Sequence, residues 1–253
     1  MTRIPVPRTK AEEIRELLRP FVASRSLPDE FTLSRFKKEI ERGRAIDPVN
    51  AYLAAGAIAV LEWNENSLDW SYQNALKFDA SADVLEEYAT SLQMLGNYES
   101  AAEKARLASE KSPTDLTALR RAISYTFIAG EVDMAESLCD VYALRAPTAP
   151  LDRANPIRHA NMAFRASSTS PEHVKKCNSI AFKMLRDRKI PFKRIHYETD
   201  LQDSGVMLII DIVLGKDEVT VLDRELGDRL FDEVEDFHPG KYWVGYEQAE
   251  ECA

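Results

Sequence analysis

The sequence predicts a mostly α-helical chain, an α-α solenoid of helical hairpins, followed by a small α+β domain of order β-β-α-β. Three observations carry this expectation. Landmarks recur 34 residues apart, Gly96 with Gly130, Ala101 with Ala135 and Pro113 with Pro147, and a period of that length marks stacked helical units. Apolar residues keep a helical spacing over most of the chain before Ile190. At Ile190-Pro191 the period falls from 3.6 to 2, because Ile195, Tyr197, Thr199 and Leu201 alternate with Arg194, His196, Glu198 and Asp200, the pattern of a half-buried strand.

In chain order, Thr9-Lys10-Ala11-Glu12 reads as a capping box. Ile14, Leu17, Leu18, Phe21 and Val22 then line one helix face. Ser26-Leu27-Pro28-Asp29 breaks that helix, and Phe31, Leu33, Phe36 and Ile40 mark a second one ended by Gly43. This pair, residues 9–45, is expected to cap the array or to form a degenerate unit of it. Three hairpins follow at 49–81, 82–115 and 116–149. Capping helices are expected over 151–189, interrupted at Ser167-Ser168-Thr169-Ser170-Pro171, with Val174, Cys177, Ile180, Ala181, Met184 and Leu185 on one face. The array thus occupies 1–190 and the small domain 191–253. Gln202-Asp203-Ser204-Gly205 is turn chemistry. Val206–Leu214 is an apolar run expected to be a strand covered on both faces. A helix over about 217–236 and a last strand at Tyr242–Tyr246 complete the domain. One face of the sheet is expected to take this last helix and the other the helix at 171–189.

The central hairpins resemble the tetratricopeptide repeat, a 34-residue helix–turn–helix with the pattern W-x2-L-G-x2-Y…A-x3-F…P. In 82–115, Leu85 stands at the family's Trp, Tyr88 and Ala89 at its Leu-Gly pair, and Leu92 at its first Tyr. Gly96-Asn97-Tyr98 matches the turn, Ala101 and Ala108 the small packing residues, and Pro113 the closing Pro. Residues 116–149 carry Leu119, Ala122, Ile123, Gly130, Ala135, Cys139, Tyr142 and Pro147 at the same places, with Ile123 and Tyr142 where the family has small residues. Residues 49–81 are offset by one, with Tyr52, Ala55, Gly56, Leu68, Tyr72 and Ala75. Their turn has Trp63-Asn64-Glu65 in place of glycine, and Ala80 replaces the proline. The resemblance spans about 100 of the 253 residues.

The resemblance implies a groove, lined by the first helix of each hairpin, that takes a peptide or partner helix. By position it would present Asn50, Leu53 and Ala57, then Asp83, Glu86, Glu87, Thr90 and Gln93, then Thr117, Arg120, Arg121, Ser124 and Phe127. The family's carboxylate clamp draws Lys and Asn from successive repeats. Here only Arg120-Arg121 is offered, which argues against a chaperone-tail ligand and for a mixed-charge or amphipathic partner.

Charge is unevenly distributed. The net −9 divides as +3 over 1–47, −8 over 48–150, +6 over 151–190 and −10 over 191–253, and such asymmetry bears on contacts. No apolar run reaches the roughly 18 residues of a membrane helix. The first thirty residues lack a signal-peptide core, and Met1–Pro7 reads as a short Pro-restricted leader, so the expected compartment is the cytoplasm. Cys139, Cys177 and Cys252 form no CxxC, and an odd count argues against a disulfide framework.

Phosphate loops, HExxH and G-x-S-x-G are absent from the sequence. His159, His173, His196 and His238 have no metal-ligand spacing. Asp211 interrupts an apolar strand, where a covered carboxylate needs a partner; it faces solvent at an edge, pairs with a nearby Arg, or converges with His196 and Asp200 on a metal. Asp228, Asp232, Glu233, Glu235 and Asp236 read as a solvated helix face. Arg153–Lys189 holds nine cations against two acids, but only Phe164 and Phe182 are interleaved. Nucleic acid is therefore disfavoured as a partner, because single-strand binding wants stacking platforms. The expected function is a non-catalytic protein-interaction scaffold, with no cofactor or metal, binding a protein or peptide; self-association is also admissible. The alternatives are a metal-dependent hydrolase or nuclease with its site in 191–253, or a nucleic-acid-binding regulator using 153–189.

Overall fold

The computed structural model describes residues 8–152, 154–200 (of residue 200, the backbone) and 205–249. The leader at 1–7, the turn at 202–204, Arg153 and Cys252 lie outside the described residues. The chain is a series of consecutive helices packed in adjacent pairs, followed by a small three-stranded sheet and one further helix. It forms two compact units, divided between Leu95 and Gly96.

The first unit contains α1 (Lys10–Ser24), α2 (Glu30–Gly43), α3 (Pro48–Leu61), α4 (Glu65–Phe78) and α5 (Ala82–Met94). Ile14 and Leu18 of α1, Phe36 and Ile40 of α2, and Ala51, Ala54 and Ile58 of α3 share one core. Close approach is bought with small residues. A Cβ on Gly56 would lie 2.6 Å from the ring of Tyr72 on α4, so α3 must carry glycine there. Tyr72 in turn stacks on Tyr88 of α5, centroids 4.7 Å apart.

The second unit contains α6 (Tyr98–Lys111), α7 (Leu116–Ile128), α8 (Val132–Arg145), α9 (Ala154–Ala166), α10 (Pro171–Asp187), β1 (Phe192–Asp200), β2 (Gly205–Ile212), α11 (Lys216–Glu233) and β3 (Tyr242–Gln248). The sheet order is β1-β2-β3. β1 and β2 are antiparallel, and β2 and β3 are parallel with α11 as the crossover that a parallel pair requires. β2 is central, and Val206, Leu208, Ile209, Ile210 and Ile212 are all buried. The core runs unbroken from Tyr98 to Tyr246.

The helix pairs share one termination code. The first helix of each pair ends in a residue with positive φ: Arg25 (52°), Trp63 (56°), Gly96 (74°), Gly130 (86°) and Ser168 (55°). After four of these the next N–H closes back five residues: Ser26 to Phe21, Asn64 to Ala59, Glu131 to Thr126 and Thr169 to Phe164, at 2.9–3.1 Å. That is the Schellman ending, which consumes carbonyls the helix leaves unpaired. The second helices of the central pairs end instead in residues of negative φ, Asp79 (−145°), Ser112 (−124°) and Ala146 (−133°). Trp63 therefore holds the turn position that glycine holds at 96 and 130. The pairs at 10–43 and 154–187, which lack the sequence landmarks, end their first helices the same way.

α10 joins the helices of this unit to the sheet. A Cβ on Gly130 would lie 2.8 Å from the Lys175 nitrogen, and one on Gly96 would lie 3.3 Å from Phe182 Cβ. Residues 175 and 182 are seven apart, roughly 10.5 Å of helix rise, close to the 8–10 Å between packed helices. Between them sits Asn178, 2% exposed. Its amide donates to Ile128 O at 2.9 Å and Tyr197 Oη at 3.2 Å, and its carbonyl accepts from Tyr242 Oη. Tyr246 Oη donates to Ala181 O at 2.6 Å. Burial drives the Tyr197 phenol up to about 12, so it remains a protonated donor, here to Phe127 O.

One expectation needs correction. α11 does not cover one sheet face while α10 covers the other. α9 and α10 reach the face bearing Tyr242, where Phe164 and Asn178 meet it. α11 lies along the edge strand β3 and also against α10. Asp223 accepts the Tyr246 N–H at 2.8 Å, which satisfies a donor that an edge strand leaves open. Gly227 gives room to Trp243, whose ring would be 3.2 Å from a Cβ there.

Asn178→Leu leaves the Tyr197 and Tyr242 hydroxyls and the Ile128 carbonyl short of a buried partner. It is expected to cost about 2–4 kcal/mol in urea unfolding. Gly130→Ala is expected to destabilise more than Gly96→Ala. Both incur about 1–2 kcal/mol of left-handed strain, but at Gly130 the added methyl meets backbone rather than a side chain. Midpoints from thermal melts of the two variants give the order directly.

Candidate functional site

α7 is amphipathic. Ala118, Leu119, Ala122, Ile123 and Thr126 are buried, while Thr117, Arg120 and Arg121 are exposed and Ser124 half-buried. Asp115 caps the helix by accepting from the Thr117 and Ala118 N–H groups at 2.7 and 3.3 Å. The polar face lines a cavity of about 420 Å3 whose other walls are Ile123, Tyr125, Pro150, Leu151 and Asp152. Arg120 is held from behind: its Nε and Nη2 both donate to Tyr142 Oη, at 2.9 and 2.5 Å, and its guanidinium sits 5.3 Å from the Tyr142 ring centroid. Tyr142 itself is 1% exposed. Four of the residues singled out by position, Thr117, Arg120, Arg121 and Ser124, thus line one cavity. Phe127 is a core residue, its ring 4.3 Å from that of Tyr197.

In the first unit, Ala57, Glu87 and Thr90 line a second cavity, of about 270 Å3, with Arg15, Arg19, Val22, Ala23, Val60, Tyr72, Ser91 and Met94. Val22, Ala23, Ala57, Val60 and Met94 give it an apolar wall, and two of its charged residues, Arg15 and Glu87, belong to one network. Arg15 pairs with Glu87 and donates to Asn50 Oδ1 at 3.1 Å, and Asn50 donates to Asp47, which also accepts from Thr9. Burial works to raise the Asp47 carboxyl, but the bonds from Thr9 and Asn50 outweigh it and hold it below the ordinary carboxylate range. Burial, then the Glu87 charge, push the Tyr72 phenol well above its usual value, so it stays protonated beside Ser91. Asn50 and Glu87 are therefore already engaged by α1. Of the remaining positions, Leu53 is buried, Asp83 is exposed, and Glu86 and Gln93 are half-buried.

The residues that position did not flag are Arg15 and Arg19, Tyr142, and the Pro150–Asp152 wall. Arg15 and Arg19 lie on a helix whose sequence carries no groove landmark, and Tyr142 stands where the repeat family has a small residue. Only the fold brings them to these faces.

The alternative metal constellation does not assemble on its described members. Asp211 is 8% exposed and accepts from Arg194 Nε across the strand pair at 2.7 Å, while His196 stands opposite Ile209. The side chain of Asp200 lies outside the described residues. Among the described residues no cluster of three His, Cys, Asp or Glu could hold a metal ion. Several cations of the basic stretch are paired: Arg158 with Asp140, Arg165 with Asp133, Lys175 with Glu99, Lys183 with Asp187, and Arg188 with Glu225 at the contact of α10 and α11. The acidic residues from Asp228 to Asp236 are exposed. No helix among the described residues is long and apolar enough to cross a membrane.

Comparison with protein-family models, with curated proteins and with solved structures finds no match for this chain.

The Arg15–Glu87 pair is about a quarter exposed on each side, so screening limits its worth. Arg15→Ala is expected to cost about 1 kcal/mol. Arg15→Ala with Glu87→Ala should cost less than the sum of the two single changes, because the groups share one interaction. A double-mutant cycle by urea unfolding measures this.

Proposed function

We propose that the helix pairs are tetratricopeptide-like repeats and that the chain is a non-catalytic protein-interaction scaffold, binding a peptide or a segment of a partner protein on the polar faces of its first-in-pair helices. The observation that carries this is the α7 face. Thr117, Arg120, Arg121 and Ser124 project at helical spacing into one open cavity, and none of them is needed to fill the core. Exposed polar groups in a concave, partly apolar setting are what a binding surface requires. The shared left-handed ending at 63, 96 and 130 supports the repeat reading, because it places equivalent turns 33 and 34 residues apart. The apolar wall of the first unit's cavity adds a place for an apolar side chain.

The test is affinity capture from the native host with the intact chain and with Arg121→Glu and Glu86→Lys variants that keep wild-type circular dichroism. A defined partner retained by the wild type and lost from Arg121→Glu is the expected outcome. Unchanged recovery with both variants places the binding surface elsewhere.

A further inference from the structure

Two guanidiniums adjoin on α7, and one is held rigidly. Arg120 uses two of its five N–H groups on Tyr142 Oη, with its guanidinium carbon 5.3 Å from the Tyr142 ring centroid. This fixes the orientation of the fork toward the cavity that Arg120 and Arg121 both line. Thr117 and Ser124 add hydroxyls one turn to either side. Beyond the charges, Pro150 and Leu151 form an apolar wall, and Asp152 is the only acid among the described residues of the lining.

We infer that this cavity selects an acidic segment of a partner protein, taking one Asp or Glu side chain at Arg120 and Arg121 and an adjoining apolar residue against Pro150 and Leu151. The inference rests on the peptide-binding reading above and names the chemistry of the peptide. Charge complementarity favours a carboxylate, because planar guanidinium forks match its two oxygens. A nucleic-acid backbone fits less well: it wants a track of cations, whereas the described lining has two and an opposing Asp152. A chain-terminal carboxylate is caught by backbone N–H groups or by side-chain donors drawn from successive hairpins, which two arginines of one helix do not supply. Here the N–H groups at the start of α7 are taken by Asp115, which leaves side chains as the donors. Tyr142 is a positioning residue, acting through Arg120.

The test uses the intact chain to select from two bead-displayed randomised peptide libraries, one amidated at the C-terminus and one with a free carboxylate. Fluorescence polarisation then measures the enriched peptides. Both libraries are expected to yield peptides with Asp or Glu beside an apolar residue. Arg121→Gln should weaken their binding about tenfold or more, the scale of a lost charge-assisted hydrogen bond. Tyr142→Phe keeps the ring and should weaken the acidic peptides by about threefold to tenfold. It should leave the Asn or Gln analogues of those peptides unchanged, whereas a merely structural defect would weaken both. Enrichment only in the free-carboxylate library, displacement of the peptide by oligo(dT) at equal concentration, or acidic peptides indifferent to Arg121→Gln would each overturn the inference. Acid-free peptides that Arg121→Gln abolishes would sink it while keeping the peptide-binding reading. No enrichment from either library would sink both.

Discussion

The second unit depends on one buried amide. Asn178 satisfies both its donor and its acceptor capacity on three elements at once: the end of α7, strand β1 through Tyr197, and strand β3 through Tyr242. In a dry interior an amide without partners is costly, so this network admits one arrangement of α10 between helices and sheet. The flanking contacts follow from it. Seven residues of α10 span two inter-helix turns, and those turns carry glycine because the helix passes too close for a side chain. The glycines spaced 34 apart thus serve two ends. They allow a left-handed helix ending, and they allow α10 to lie across it.

That arrangement also explains why the sheet needs no separate core. Tyr98, Phe182 and Phe192 meet at ring distances of 4.6–6.2 Å, so α6, α10 and the start of β1 bury the same apolar surface. The sheet is too small to stand alone, since two or three strands are stable only when a face is covered. α9 and α10 cover that face, and α11 occupies the edge of β3, where Asp223 takes an open N–H.

The two cavities differ in what holds Arg15 and Arg120. On the first unit Arg15 reaches from α1 to Glu87 and Asn50, and a partner there would have to compete with an internal network. On α7 the supporting contact comes from a phenol, which orients Arg120 without neutralising it. A neutral acceptor holds the Arg120 guanidinium without cancelling its charge, whereas the Arg15 charge is met by a carboxylate.

The helices, their order and the switch to strands were legible in the sequence, because amphipathic periodicity, the cap at Thr9 and the break at Ser167–Pro171 are local properties. The 34-residue spacing was legible because it repeats a local turn. The Arg194–Asp211 pair was half-legible: an acid inside an apolar strand demands a partner, but strand register decides which one. Tertiary structure alone decided that Trp63 adopts the left-handed turn, that α11 lies on an edge, that Asn178 is the buried hub, and that Tyr142 backs Arg120. Each of these joins residues distant in sequence, Arg120 with Tyr142 by 22 positions and Asn178 with Tyr242 by 64. Periodicity shows which face of a helix is buried. It does not show what that face is buried against, and partners of that kind are set only when the whole chain has packed.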